Sequence, residues 1–195
     1  MENRLPITSE AANSAVASGL RSAGVVLAGS ALVAVSSHIS LPLWFTPVPL
    51  TLQPFAVILL GLLLSPRLAA ATLGAYLLEG AAGLPVFAPG FALGAGMAHL
   101  LGPTGGYLMS YPAAAALVAW TRQNVSRGFT GAALSAAAGN ALILLCGFVW
   151  LTVWTHAAVG SAFALAVLPF LPGDALKVVA AAAIVRGWDR IRRKQ

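Results

Sequence analysis

The spacing of the charges constrains this chain more than any other feature. Basic residues fence off three long stretches that are nearly free of charge. Ser22 to Pro66 carries none, Leu68 to Thr121 carries Glu79 alone, and Gly128 to Val185 carries Asp174 and Lys177. A membrane-spanning helix needs about 20 predominantly apolar residues. Each stretch is more than twice that length, which fits a helical hairpin that crosses and returns. Of the 195 residues, 59% are apolar or aromatic and 8% charged, against roughly 25% charged in a soluble domain. A water-soluble globule is excluded. Barrel strands are about ten residues long with every second position polar, and these apolar runs are too continuous for that. The expected fold class is an all-α integral membrane protein, a six-transmembrane-helix bundle.

The same charges give an orientation. Arg4 and Arg21 precede the first expected helix, Arg67 separates the second from the third, and Arg122 and Arg127 separate the fourth from the fifth. Arg186, Arg190, Arg192, Arg193 and Lys194 form a basic tail. Cytoplasmic connections carry this excess of Lys and Arg, so both termini are expected in the cytoplasm of a multi-pass protein. The net charge of +6 and the pI near 10.5 then express topology, and nucleic acid is not an expected partner. The first twenty residues hold Glu2, Arg4 and Glu10 and no apolar core, unlike a cleaved signal peptide. Helices are expected over 23–37, 51–64, 68–84, 104–119, 130–154 and 172–188. The whole chain, 1–195, reads as one membrane domain with a cytoplasmic segment 1–20, a bundle 21–188 and a basic tail 189–195. On the first helix, Gly24-x-x-x-Ala28 and Ser30-x-x-x-Ala34 permit close helix approach, read here as packing within the bundle.

Lys177 is the one cation out of place. It lies three residues after Asp174 in Pro172-Gly-Asp-Ala-Leu-Lys177, a spacing that puts both on one helical face. Pro172 suits a helix start, and Asp174 in the first turn gains from the helix dipole. Lys177 has no such explanation. An ammonium inside a span is expensive unless it meets water, a partner or a ligand, so the pair is either a ligand site or a structural ion pair. Glu79, near the outer end of the third helix, is either a second polar wall of the same cavity or a packing hydrogen bond. Gln53, Tyr107 and Asn140 add neutral donors and acceptors at suitable depth. The first outer loop holds Trp44 and Phe45 among Pro42, Pro47 and Pro49. It is either a cover over an apolar ligand or an aromatic belt at the membrane interface. The second outer connection is rich in Gly and Pro, which permit tight turns and close backbone approach to a ligand.

Several chemistries have no means here. Cys146 is the single cysteine, so no intramolecular disulfide or thiolate metal site forms. His38, His99 and His156 are isolated and expected in loops or at the interface, and no metal or cofactor site is expected. No Gly-x-x-x-x-Gly-Lys-Ser/Thr run occurs, so ATP hydrolysis belongs to another protein. Gly-x-Ser-x-Gly is absent as well.

Four separated segments carry a resemblance: Pro49-Leu-Thr-Leu-Gln-Pro54, Tyr76-Leu-Leu-Glu-Gly-Ala-Ala-Gly-Leu-Pro-Val-Phe87, Gly102-Pro-Thr-Gly-Gly-Tyr-Leu108 and Pro169-Phe-Leu-Pro-Gly-Asp-Ala-Leu-Lys177. In this order and spacing they resemble BioY, the biotin-binding substrate component of energy-coupling factor (ECF) transporters, over roughly residues 21–186. The stretch 91–101 is bulkier than the glycine-rich run of that family. The resemblance implies six helices around an outward-facing pocket with the first loop as its lid. It also implies a transmembrane coupling subunit and two cytoplasmic ATPase subunits as partners, in the lipid bilayer of a prokaryotic cytoplasmic membrane. Asp174 and Lys177 would contact biotin, whose ureido group and carboxylate are each open to either residue. The alternatives are an S component for another vitamin such as thiamine or riboflavin, or a small integral-membrane enzyme acting on a lipid with Asp174, Lys177 and Glu79 as acid and base.

Overall fold

The computed structural model describes residues 7–89, 96–125 and 128–192, and of residues 7–12 the backbone alone. Glu2, Arg4, Arg127, Arg193 and Lys194 lie outside the described residues. Among the described residues the structure is mostly helical, and its longer helices are α1 (Ile7–His38), α2 (Gln53–Leu63), α3 (Pro66–Ala81), α5 (Gly105–Asn124), α6 (Phe129–Thr155) and α8 (Leu171–Arg192). Two short helices, α4 (Met97–Leu100) and α7 (Val159–Ala166), were not expected. Neither was the antiparallel ladder in the first loop, where β1 (Ser40–Leu41) pairs with β2 (Leu50–Thr51) in the register Ser40 to Thr51 and Leu41 to Leu50.

The helix limits follow local chemistry. Prolines in the first turns of α2 and α3 occupy positions whose N–H has no intrahelical acceptor. α1 starts at Ile7 instead of near residue 23. The alanines that follow Glu10 favour helix, so the segment before Arg21 continues α1 and is not a separate arm. At 32 residues α1 extends to roughly 48 Å, longer than the roughly 30 Å hydrocarbon core of a bilayer.

Among the described residues two helical stretches are long and apolar enough to cross a membrane, Asn13–His38 and Phe129–Thr155. α7 and α8, bent by 46°, make a third if the pair is one span. α2 has 11 residues, about half of a straight crossing.

α5 is the hub, packed against α2, α3 and α6. The approach of α6 to α5 depends on missing side chains. A Cβ at Gly147 would overlap the Tyr107 ring, and one at Gly139 would overlap Val118. Tyr76, Ile58, Leu73, Ile143 and Leu151 are fully buried in the core. The outside is equally apolar, with Leu27, Val35, Leu78, Leu134, Leu145, Leu176 and Val179 more than half exposed, as a lipid-facing surface requires.

α1 lies along α3 in parallel, Gly29 against Thr72 and Ser37 against the Val86 carbonyl. Ser30 is buried and Ala34 half-buried in this contact, whereas Gly24 and Ala28 are exposed. The Gly24–Ala28 pair therefore does not pack within the bundle as expected, because it lies on the exposed face of α1, whereas the next residue, Gly29, is the one turned to Thr72 of α3. At that end the last turns of α2, α5 and α8 meet around a groove lined by Leu62, Leu63, Ile184, Trp188 and Arg192. Arg122 Nη2 donates to Asp189 Oδ2 at 2.9 Å across it.

Candidate functional site

Toward the opposite ends of these helices the bundle encloses a cavity. Val48, Pro49 and Thr51 of the first loop form one side, with Gln53 and Pro54 at the start of α2. Thr104, Tyr107, Leu108 and Tyr111 come from α5 and its cap, Ile143 and Leu144 from α6, and Phe170, Asp174 and Lys177 from the elbow into α8. Ala88 and His99 complete the lining. The loop lies over this space because its ends are tied by the β1–β2 ladder and its middle by Thr46, whose hydroxyl donates to the Leu165 carbonyl at 3.0 Å. The enclosed space is about 40 Å³, a few water molecules' worth.

The polar centre of the cavity stands on α8. Asp174 is 4% and Lys177 8% exposed. Lys177 Nζ donates to Asp174 Oδ1 at 2.9 Å, and Asn140 Nδ2 on α6 donates to Asp174 Oδ2 at 3.2 Å. Each carboxylate oxygen therefore has one partner within the protein and can accept again. Lys177 has further N–H donors. Asn140 Oδ1 is a buried acceptor with no hydrogen-bond partner among the described residues, and an orphaned acceptor costs about 1–3 kcal/mol unless something donates to it. The three side chains form a cluster with zero net charge, two kinds of acceptor and one cationic donor.

Tyr107 and Gln53 are fixed elsewhere in the wall. The Tyr107 hydroxyl donates to the Ala166 carbonyl at 2.6 Å and its ring lies 6.1 Å from that of Phe170, which ties α5 to the end of α7. Gln53, 3% exposed, donates through Nε2 to the Tyr76 hydroxyl, which donates in turn to the Val86 carbonyl at 3.0 Å. Thr51 donates to Gln53 Oε1 at 3.2 Å.

Asn140 is not among the residues that line the cavity and reaches it only through Asp174, and Glu79, Trp44 and Phe45 also stand outside the lining. Glu79 accepts a hydrogen bond from Ser30 between α3 and α1, the packing bond that was one of its two expected roles. Trp44 is 93% and Phe45 43% exposed, set edge to face with centroids 5.4 Å apart. They sit on the outer side of the loop whose Val48, Pro49 and Thr51 face inward.

His99 was expected to be a loop or interface residue, and the structure corrects that: it lines the cavity from α4. Its ring lies against Phe87, centroids 5.2 Å apart and planes tilted by 33°. Burial lowers its pKa from the usual histidine value. Thr104, Tyr111 and Phe170 were also missed. The Gly102-Pro-Thr-Gly-Gly segment contains Thr104 and is the one sequence signal that pointed to this wall. Among the described residues no group of three or more His, Cys, Asp or Glu side chains is placed to hold a metal.

Comparison with known proteins gives one answer. Residues 8–194 match the BioY family. A probable biotin transporter BioY of Pyrococcus horikoshii is 41% identical over 154 residues, 79% of this chain and 87% of that protein. The biotin transporter BioY of Thermotoga maritima is 36% identical over 155 residues, 80% of this chain and 88% of that one. The crystal structure at 2.1 Å of the S-component for biotin from an ECF-type ABC transporter superposes with a TM-score of 0.79 and 26% identity, covering 91% of this chain and 93% of that one.

Proposed function

The chain belongs to the BioY family, and from that premise we propose that it takes up biotin as the membrane substrate-binding component of an ECF transporter. The observation that carries this reading is the buried Asp174–Lys177 pair on the wall of an otherwise mostly apolar cavity, with Asn140 bonded to Asp174 behind it. The ureido group of biotin offers two N–H donors and a carbonyl acceptor on a neutral ring. The two oxygens of Asp174 supply the acceptors for the N–H groups, and Lys177 supplies the donor for the carbonyl. The thioether ring then lies against Tyr111, Ile143, Leu144 and Phe170, where its apolar surface leaves water.

A cavity of about 40 Å³ is far smaller than the 300–1,000 Å³ usual for small-molecule sites. Loading biotin therefore displaces the first loop, and residues 42–49 act as a lid carrying Trp44 and Phe45. Their exposed rings make contact with the membrane interface or with the entering ligand.

The six main helices span the bilayer as three hairpins of a single membrane domain, with both termini in the cytoplasm of a prokaryote. The grouping of Arg122 and Arg192 at one end of the bundle, away from the cavity, supports this orientation. The partners are a transmembrane coupling subunit and cytoplasmic ATPase subunits. Membership of a family of biotin transporters supports a non-enzymatic role for this chain, with the energy supplied by the ATPase subunits.

Purified protein in detergent is expected to bind one biotin per chain in a titration, and neither thiamine nor riboflavin is expected to displace it. Absence of biotin binding, or preferential binding of another vitamin, overturns the reading.

A further inference from the structure

The Asn140–Asp174–Lys177 cluster neutralises itself, which leaves the charge of an anionic ligand unanswered. A carboxylate brought into a cavity with few waters carries a desolvation penalty unless a donor meets it. Lys177 is already engaged with Asp174 at 2.9 Å, and a second anion beside that carboxylate meets like-charge repulsion. Of the other polar lining residues, Thr51, Gln53 and Tyr107 are hydrogen-bonded within the protein, and two more lie on a different wall. α8 packs against α2 and α6, whereas α4 packs against α3 and α5. That second wall holds His99 on α4 and Thr104 in the turn that precedes α5.

No side-chain hydrogen bond of His99 exists among the described residues, while its ring is held against Phe87 at 5.2 Å. An imidazole fixed in orientation with a free N–H is a directed donor. The Thr104 hydroxyl is a second donor, and the positive end of the α5 dipole adds to the same field.

We propose that His99, assisted by Thr104, binds the carboxylate of the ligand, so that the cavity reads a molecule with a neutral hydrogen-bonding head and an anionic tail from two walls at once. This inference rests on the biotin reading and deepens it. His99 becomes a specificity-determining residue that selects the free acid over neutral derivatives, and Lys177 is assigned to the head and not to the tail.

The test uses the full chain in detergent and two probes, biotin and biotin methyl ester, which differ in the tail alone. The native protein is expected to bind the acid more tightly than the ester. His99→Ala should weaken acid binding at least tenfold and leave ester binding within twofold. His99→Gln, which keeps an N–H donor, should recover most of the loss. Ester binding reports in each case that the variant is folded. Lys177→Met should weaken both probes together. Native-like acid binding by His99→Ala, or equal loss of acid and ester, overturns the assignment of His99 while leaving the biotin reading intact. Failure of the native protein to bind either probe overturns that underlying reading itself.

Discussion

Replacing Lys177 by Met leaves the Asp174 carboxylate buried, with a single hydrogen bond from Asn140. The two side chains are 9% and 5% exposed and meet at 2.9 Å, so neither is free to turn to solvent. Removing one partner of a buried pair costs about 3–5 kcal/mol. The surviving Asn140 contact places Lys177→Met near the lower figure, about 3 kcal/mol of destabilisation. Asp174→Asn combined with Lys177→Met behaves differently. An amide at 174 still accepts from Asn140 Nδ2 and can donate to Asn140 Oδ1, the acceptor that otherwise lacks a partner. The double variant should therefore return to within about 1 kcal/mol of native stability, as buried pairs replaced by neutral groups often do. Biotin binding should not return. Two hydrogen bonds to charged groups, about 1.5–3 kcal/mol each, are lost from the ureido site, a fall of at least about a hundredfold in affinity. Thermal unfolding by tryptophan fluorescence and biotin titration on the same samples separate the two effects. If the stable double variant binds biotin with native affinity, the pair is a structural ion pair and the ligand site lies elsewhere. A single variant as stable as native protein refutes the burial argument.

Three further outcomes follow from other contacts. Thr46→Val removes the hydroxyl that holds the first loop to the Leu165 carbonyl, a loss of about 1 kcal/mol; stopped-flow measurements should find association and dissociation of biotin both about fivefold faster, with their ratio little changed. Gly147→Leu puts a side chain into the Tyr107 ring and should destabilise the protein by about 1–3 kcal/mol, the usual range for an overpacked core, read as a lower unfolding temperature. Burial lowers the pKa of His99, so the unfolded chain binds more protons than the folded one below about pH 6.5. Stability should fall as the pH drops from 7 through that window and level off below the lowered pKa, and His99→Gln should flatten this slope in unfolding curves recorded between pH 7 and 5.

The distribution of charge made the main helices legible, because a bilayer taxes charge at every position and the basic residues mark where the chain leaves it. The i,i+3 spacing of Asp174 and Lys177 likewise put both on one helical face, where they meet at 2.9 Å. What remained hidden depended on distant neighbours. α4 and α7 have 4 and 8 residues, too short to display a helical period. Glu79 meets a serine 49 positions away, and nothing near Glu79 in the chain announces it. His99 looked like an isolated histidine because its setting, the Phe87 ring and the far wall of the cavity, is assembled from three dimensions. Trp44 and Phe45 show the opposite case. Large aromatics between prolines are conspicuous in sequence, yet the inward positions of that loop belong to smaller neighbours, Val48, Pro49 and Thr51.

The elbow between α7 and α8 connects these parts. Its residues accept from the loop through Leu165 and from α5 through Ala166. The Phe170 carbonyl takes the backbone N–H of Asp174 at 2.8 Å, and the Phe170 ring lines the cavity. The 46° bend thus lets one short segment hold the lid, orient a wall of the cavity and start the helix that presents the ion pair. On the biotin reading, a ligand that donates to Asp174 stabilises the position of α8 in which the pair and the elbow are aligned. The Thr46 contact with the Leu165 carbonyl closes the loop over the empty and the loaded cavity alike, so it offers the ligand no differential contact and cancels from the affinity. It still has to break whenever the loop opens, for entry as for release. On that reading the ion pair sets the affinity and the loop sets the rates.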